Sequence, residues 1–172
     1  MRKIIIINGG AGVGKDTFVQ MCQNVDPTIQ NLSSIDYVKE VARELGWSGE
    51  KDEKARKFLA DLKQAMMLYN GAPFYKVFET INDFDNGCTV FLHVREPDEI
   101  ELYKNQIIAN YDKVVTLLIC NNRVAAVDTN SADANVTEYG YDYVIDNNGT
   151  LQDLQDSAEL FLEVLKDDHK GN

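Results

Sequence analysis

Apolar residues fall along this chain in two rhythms. In residues 4–7, 89–94 and 114–119 they form short, nearly unbroken runs rich in β-branched side chains, the pattern of strands buried on both faces. Elsewhere they recur every three or four positions, as on one side of a helix. That spacing predicts helices over 15–24, 52–69 and 97–110, and a last one along Leu151, Leu154, Ala158, Phe161 and Leu165, capped by Thr150 and Asp153. Ile35, Val38, Val41, Ala42 and Leu45 form the stripe of another helix, begun at Ser33 to Asp36 and stopped by Gly46. Phe58, Leu62, Ala65, Met66 and Tyr69 are the expected buried face of the 52–69 helix. Pro73 suits the first turn of a helix reaching Ile81. Residues 29–33 and 141–145 complete the set of strands.

Strands alternating with helices predict an α/β fold with a parallel sheet covered on both faces. The chain has no repeats, low-complexity tracts or linkers, so residues 1–172 read as a single domain. Residues 121–138 are polar, follow a buried strand, and are about as long as a loop that carries a function. A lid is expected there. The formal net charge of −11 argues against nucleic acid as a partner, because a phosphate backbone demands a basic footprint. A small phosphorylated ligand is not excluded, since a few cations in one cleft outweigh the global sign locally. No apolar run reaches the length of a membrane span, and the first residues lack the features of a signal peptide. Cys22, Cys88 and Cys120 are odd in number and widely spaced, as expected of buried thiols in a reducing cytosol rather than disulfides. A cytoplasmic location follows from these expectations.

The chemistry collects behind the first strand. Ile4 to Ile7 lead into Asn8, then Gly9, Gly10, Gly12 and Gly14, and an amphipathic segment opens at Lys15. Strand, glycine loop and helix are the context of a phosphate-binding loop. Glycines let several backbone N–H groups converge on one anion, and the helix start adds its own N–H groups and positive dipole end. Gly10, Gly12, Val13, Gly14, Lys15, Asp16 and Thr17 are the expected phosphate contacts, with Lys15 reaching the outer phosphates as a mobile charge. The spacing from Gly9 to Lys15 fits the Walker pattern, but Asp16 stands where Ser or Thr would hold magnesium. A carboxylate beside bound phosphates is repelled unless a divalent cation lies between them, so Asp16 is the expected metal ligand. Thr17 competes for that role, one helical step or about 100° away.

In a parallel α/β sheet ligands bind outside the carboxyl ends of the strands. Arg95 directly follows the 89–94 run and Arg123 follows the 114–119 run, so both are expected to open on the edge that carries the glycine loop. A guanidinium cannot lose its charge and holds two phosphate oxygens in a fixed fork. Ion pairing of Arg95 with Glu96, Asp98 or Glu99 is the plainer alternative. Arg56 and Lys63 share a face of their helix, and Lys39 lies on the preceding one. On spacing alone all three also fit solvated charges, with Asp52 four residues before Arg56 and with Glu40 and Glu44 near Lys39.

At Gly14-Lys15-Asp16-Thr17 the chain resembles the P-loop kinases that act on small phosphorylated acceptors, in particular deoxynucleoside monophosphate kinases of the phage type. It is similar, more distantly, to phosphomevalonate kinases of the animal type. The likeness extends over most of the chain. Ser33-Ser-Ile-Asp-Tyr-Val-Lys39 resembles the segment leading into their acceptor helix, and Arg56-Lys-Phe-Leu resembles a helix whose arginine contacts the acceptor phosphate. The run from Asn130-Ser-Ala-Asp133 through Tyr139, Asn147, Asn148 and Gly149 resembles their ending, where a loop near the last strand borders the adenine. The resemblance implies a three-layer P-loop nucleoside triphosphate hydrolase-type fold with a parallel, five-stranded sheet and a lid loop. It implies ATP with Mg2+ as donor and cofactor, and a small phosphorylated acceptor as the other partner. It also implies Ser34, Lys39, Arg56, Lys63 and Arg95 as acceptor contacts, Lys15, Arg95 and Arg123 as catalytic residues, and Asn147 to Gly149 as the adenine loop. Two features depart from the family. His93-Val-Arg95 stands where those kinases carry an aspartate followed by arginine, and residues 121–138 offer one arginine where kinase lids often supply several. The expected activity is phosphotransfer to a (deoxy)nucleoside monophosphate. A phosphomevalonate-type kinase and a non-catalytic ATP-binding regulatory protein are the alternatives.

Overall fold

The computed structural model describes residues 2–108, 113–124, 136 and 139–167, with the backbone alone at 167. Five strands form one parallel sheet in the order β2-β3-β1-β4-β5. They are β1 (Lys3–Asn8), β2 (Gln30–Ser33), β3 (Thr89–His93), β4 (Lys113–Cys120) and β5 (Tyr143–Asp146). Among the described residues there are six helices: α1 (Lys15–Val25), α2 (Asp36–Glu44), α3 (Glu53–Asn70), α4 (Ala72–Asp83), α5 (Pro97–Ile108) and α6 (Leu151–Asp167). None of them is long and apolar enough to cross a membrane. The chain folds as two compact units, one of residues 1–31 with 86–172 and the other of residues 32–85.

In the first unit the isoleucine run is the central strand, and Ile4 to Ile7 are almost wholly buried. Successive side chains of a strand point to opposite faces, so this one strand feeds two layers. Ile5 and Ile7 join Phe18, Val19 and Cys22 of α1 and Leu154, Ala158, Phe161 and Leu165 of α6 in one core. On the other face α5 buries Ile100, Tyr103 and Ile107 and packs on β4 and β1. These three layers are what the alternation of runs and stripes predicts. Parallel pairing sets Ile7 beside His93 and Leu117, so β1 and β3 end nearly level, β4 runs on to Cys120, and their following loops open on a shared edge.

The second unit is held by Val38 and Ala42 of α2 and Leu59 of α3, with Ile35, Trp47, Phe58, Leu62 and Met66 packed around them. Three expected stripe residues, Leu45, Ala65 and Tyr69, are corrected here. Leu45 is 64% exposed and Tyr69 is 87% exposed. At Leu45 the chain is already leaving α2, and Trp47 folds back instead, donating its backbone N–H to the Ala42 carbonyl at 2.9 Å. The apolar cluster reaches only to Met66, so α3 outruns it by its last turn and carries Tyr69, and Ala65 on its outer side, into solvent. Asp52 caps α3 by accepting from the Ala55 N–H at 2.7 Å, and Gly71, at φ +68°, ends that helix and starts α4.

Candidate active site

The glycine loop owes its shape to two residues for which no other side chain would serve. A Cβ on Gly9 would lie 2.4 Å from the Ile119 carbonyl oxygen, and one on Gly14 would lie 2.4 Å from Nδ2 of Asn147. Gly14 is also left-handed, at φ +101° and ψ 15°, and opens α1 without a side-chain cap. The first N–H groups of α1 are therefore not taken by a capping oxygen, which leaves them for an anion. Lys15 is half-buried, and its ammonium donates to the carbonyls of Gly9 and of Gly10, the latter at 2.7 Å. Its charge thus sits over the mouth of the loop.

Asp16 is almost fully exposed, with Oδ1 3.9 Å from Nδ1 of the largely buried His93. Thr17 is exposed as well, while Val13 is buried and holds the loop to the body of the unit. Val13 does so partly through Asn147, whose Nδ2 donates to its carbonyl at 2.8 Å. Asn148 accepts from the Asn122 N–H at 2.8 Å. Arg123 is exposed, with Nη1 3.5 Å from the Gly149 carbonyl. The turn at 147–149, the turn at 121–124 and the glycine loop are thus joined at the end of β4 and β5. Arg95 emerges from the end of β3 with its guanidinium exposed, and among the described residues it makes no ion pair. The alternative of a pair with Glu96, Asp98 or Glu99 is not what the structure shows. Most of the expected lid, residues 121–138, lies outside the described residues.

The remaining expected residues belong to the second unit. Ser34 is buried just ahead of α2. Lys39 is held at 3.1 Å by Asp36 and borders a cavity of about 370 Å3, with Tyr37 and Arg43 of α2 and Lys76 and Thr80 of α4 in its wall. Arg56 is exposed and, among the described residues, forms no ion pair with Asp52, whose carboxylate is spent on capping α3. Lys63 is half-buried on the same helix.

The sequence pattern missed Asn8, the fully buried polar residue between the isoleucines and the glycines. It also missed Tyr141, whose hydroxyl lies 2.8 Å from the Asn8 side-chain nitrogen. An asparagine closing an otherwise apolar strand was the available signal, since a buried amide must find partners.

No family model matches the chain, and no curated protein matches it. Solved structures do. The chain is similar to TT1252 from Thermus thermophilus (18% identity, 95% of this chain and 98% of that one, TM-score 0.56). It is similar to the tunicamycin resistance protein of Deinococcus radiodurans (13% identity, 94% and 96%, TM-score 0.57). A third likeness is to the Mycobacterium tuberculosis APS kinase in complex with AMPPNP and APS (11% identity, 95% and 97%, TM-score 0.52). At these identities the likeness is one of fold, the P-loop fold that the sheet order and glycine loop already define.

Proposed function

We propose that the chain transfers the γ-phosphoryl group of ATP to a small phosphorylated acceptor, a deoxynucleoside monophosphate being the favoured one. The observation that carries this reading is the glycine loop: Gly14 left-handed at an uncapped helix start, with the Lys15 ammonium folded over it. A loop of this build presents N–H groups and a mobile cation to an oligophosphate. Arg95 and Arg123, exposed on the strand-end side, supply the fixed charge that a transferring phosphoryl group requires. The solved APS kinase, bound to AMPPNP, shows that this fold hosts such a donor in another protein.

In this mechanism the protein does little covalent chemistry. Its residues hold donor and acceptor in line and spread positive charge over the equatorial oxygens. No general base is needed, because an acceptor phosphate is already an anion at neutral pH. Magnesium is commonly bound through one or two carboxylates together with substrate phosphates, and the exposed carboxylate of Asp16 beside the loop fits that arrangement. When bound there, the ion would neutralise charge on the outer phosphates. Lys39, Arg56 and Lys63 are proposed to grip the acceptor.

The test is a coupled ADP-release assay against a panel of nucleoside and deoxynucleoside monophosphates, phosphomevalonate and dephospho-coenzyme A. ADP formation that depends on a deoxynucleoside monophosphate supports the reading. Release that depends on phosphomevalonate moves the acceptor, and ATP binding without release in any arm overturns the enzyme.

A further inference from the structure

We infer that Asn8 is a positioning residue for the phosphotransfer proposed above, and the inference rests on that reading for its kinetic consequence. Asn8 is fully buried, and its side-chain amide carries one acceptor oxygen and two donor hydrogens. All are committed. Oδ1 accepts from the Gly9 N–H at 2.7 Å, and Nδ2 donates to the Arg95 carbonyl at 2.9 Å and to the Tyr141 hydroxyl at 2.8 Å. The orientation of the amide follows from its partners, because a backbone N–H only donates and a carbonyl only accepts. Tyr141 passes its own proton on to the Val136 carbonyl at 2.9 Å. Burial pushes its phenol up to about 12, so the hydroxyl keeps that proton at neutral pH.

Each partner roots a different part of the edge. Gly9 opens the glycine loop, Arg95 leads from β3 into α5, and Tyr141 leads into β5. One buried amide that touches no phosphate therefore sets the register between the donor loop and the Arg95 backbone. Gly9 has no slack of its own, being at φ +146° against the Ile119 carbonyl. Arg95 is held here by its backbone, so a loosened carbonyl would let the guanidinium drift from the transferring group. Small displacements of that kind cost rate rather than fold.

Two substitutions cut different branches. Asn8→Asp keeps the shape and still accepts from Gly9, but loses both donor hydrogens and sets a carboxylate oxygen against the Arg95 carbonyl and the Tyr141 hydroxyl oxygen. Tyr141→Phe removes only the hydroxyl. Parent, both single variants and the double variant are compared by kcat, KM for ATP, thermal midpoint and amide exchange over residues 94–96. Asn8→Asp is expected to lower kcat roughly tenfold or more with KM for ATP little changed, and Tyr141→Phe to lower it less. Exchange at 94–96 speeds up in both, and the two losses in kcat are non-additive, as expected of groups in one network. If the buried carboxylate prevents folding, Tyr141→Phe carries the test alone: slower turnover with faster exchange at 94–96 supports the assignment. A fall in thermal midpoint with kcat and exchange unchanged overturns it, as do additive losses. If the parent turns over no acceptor, the kinase reading fails, while exchange at 94–96 still decides whether Asn8 sets the Arg95 backbone.

Discussion

Lys15 and Asp16 are neighbours in sequence with opposite demands on the same small volume. Lys15 is drawn back over the loop carbonyls and Asp16 points into solvent, so each can be altered without disturbing the core. Lys15→Ala is predicted to leave the thermal midpoint nearly unchanged and to lower turnover at least about tenfold, since a charge-assisted contact is worth roughly 1.5–3 kcal/mol. Asp16→Asn is predicted to weaken the dependence on magnesium more than ATP binding measured without metal. A magnesium titration identical to the parent's contradicts the metal role and leaves Asp16 as an ordinary first-turn acid. Gly14→Ala should be far more damaging than Gly10→Ala. The first meets Asn147 at 2.4 Å in a left-handed backbone, and the second meets only ordinary contacts with Val13. ATP affinity and thermal midpoint, measured on both variants, check that contrast. The sequence pointed to the residues expected around a phosphate, but not to Asn147 tying the loop down through Val13. The two positions are 134 apart, and nothing in local pattern links them.

At the scale of elements, compact apolar runs located β1, β3 and β4, because a strand buried on both faces leaves such a mark, while β2 and β5 bury fewer positions and left a fainter one. Helix faces were less legible. A stripe drawn from spacing alone carries on to the last apolar residue, whereas burial stops where the neighbouring core stops, at Met66 for α3. Caps were readable when the partners are close in sequence. Asp52 at α3 and the Thr150–Asp153 pair at α6 are such cases. Asp52→Ala is predicted to cost about 1 kcal/mol without changing ATP affinity, measured by denaturant unfolding and titration. At α6, hydrogen bonds from Thr150 hold the Asp153 carboxyl below the ordinary carboxylate range. The stability it contributes is present above its unfolded pKa and lost as pH falls through the depressed folded value. Asp153→Ala should therefore lower the thermal midpoint at neutral pH, and the gap to the parent should close on acidification. A gap that persists at acid pH assigns the loss to something other than this carboxylate.

Across the whole molecule, a chain of net charge −11 places Lys15 at the start of α1 and Arg95 and Arg123 on loops, all following the carboxyl ends of strands. That concentration against the global sign is the physical content of the proposed function. The fold was legible because alternation and a glycine loop leave few topologies open. The acceptor was not, because its proposed contacts come from a helical unit whose charges read equally well as solvated. Arg56→Ala is predicted to raise KM for the acceptor while ATP affinity and kcat stay close to the parent's, the pattern of lost uniform binding. Equal weakening of donor and acceptor would contradict the acceptor role of α3. The most direct test of the central claim follows the γ-phosphoryl itself. Radiolabelled γ-phosphate of ATP, incubated with magnesium and each deoxynucleoside monophosphate, is predicted to appear in a deoxynucleoside diphosphate with the parent protein, and to fall at least about tenfold with Lys15→Ala. Label that remains in ATP, or is released only as inorganic phosphate with every acceptor, would contradict the account.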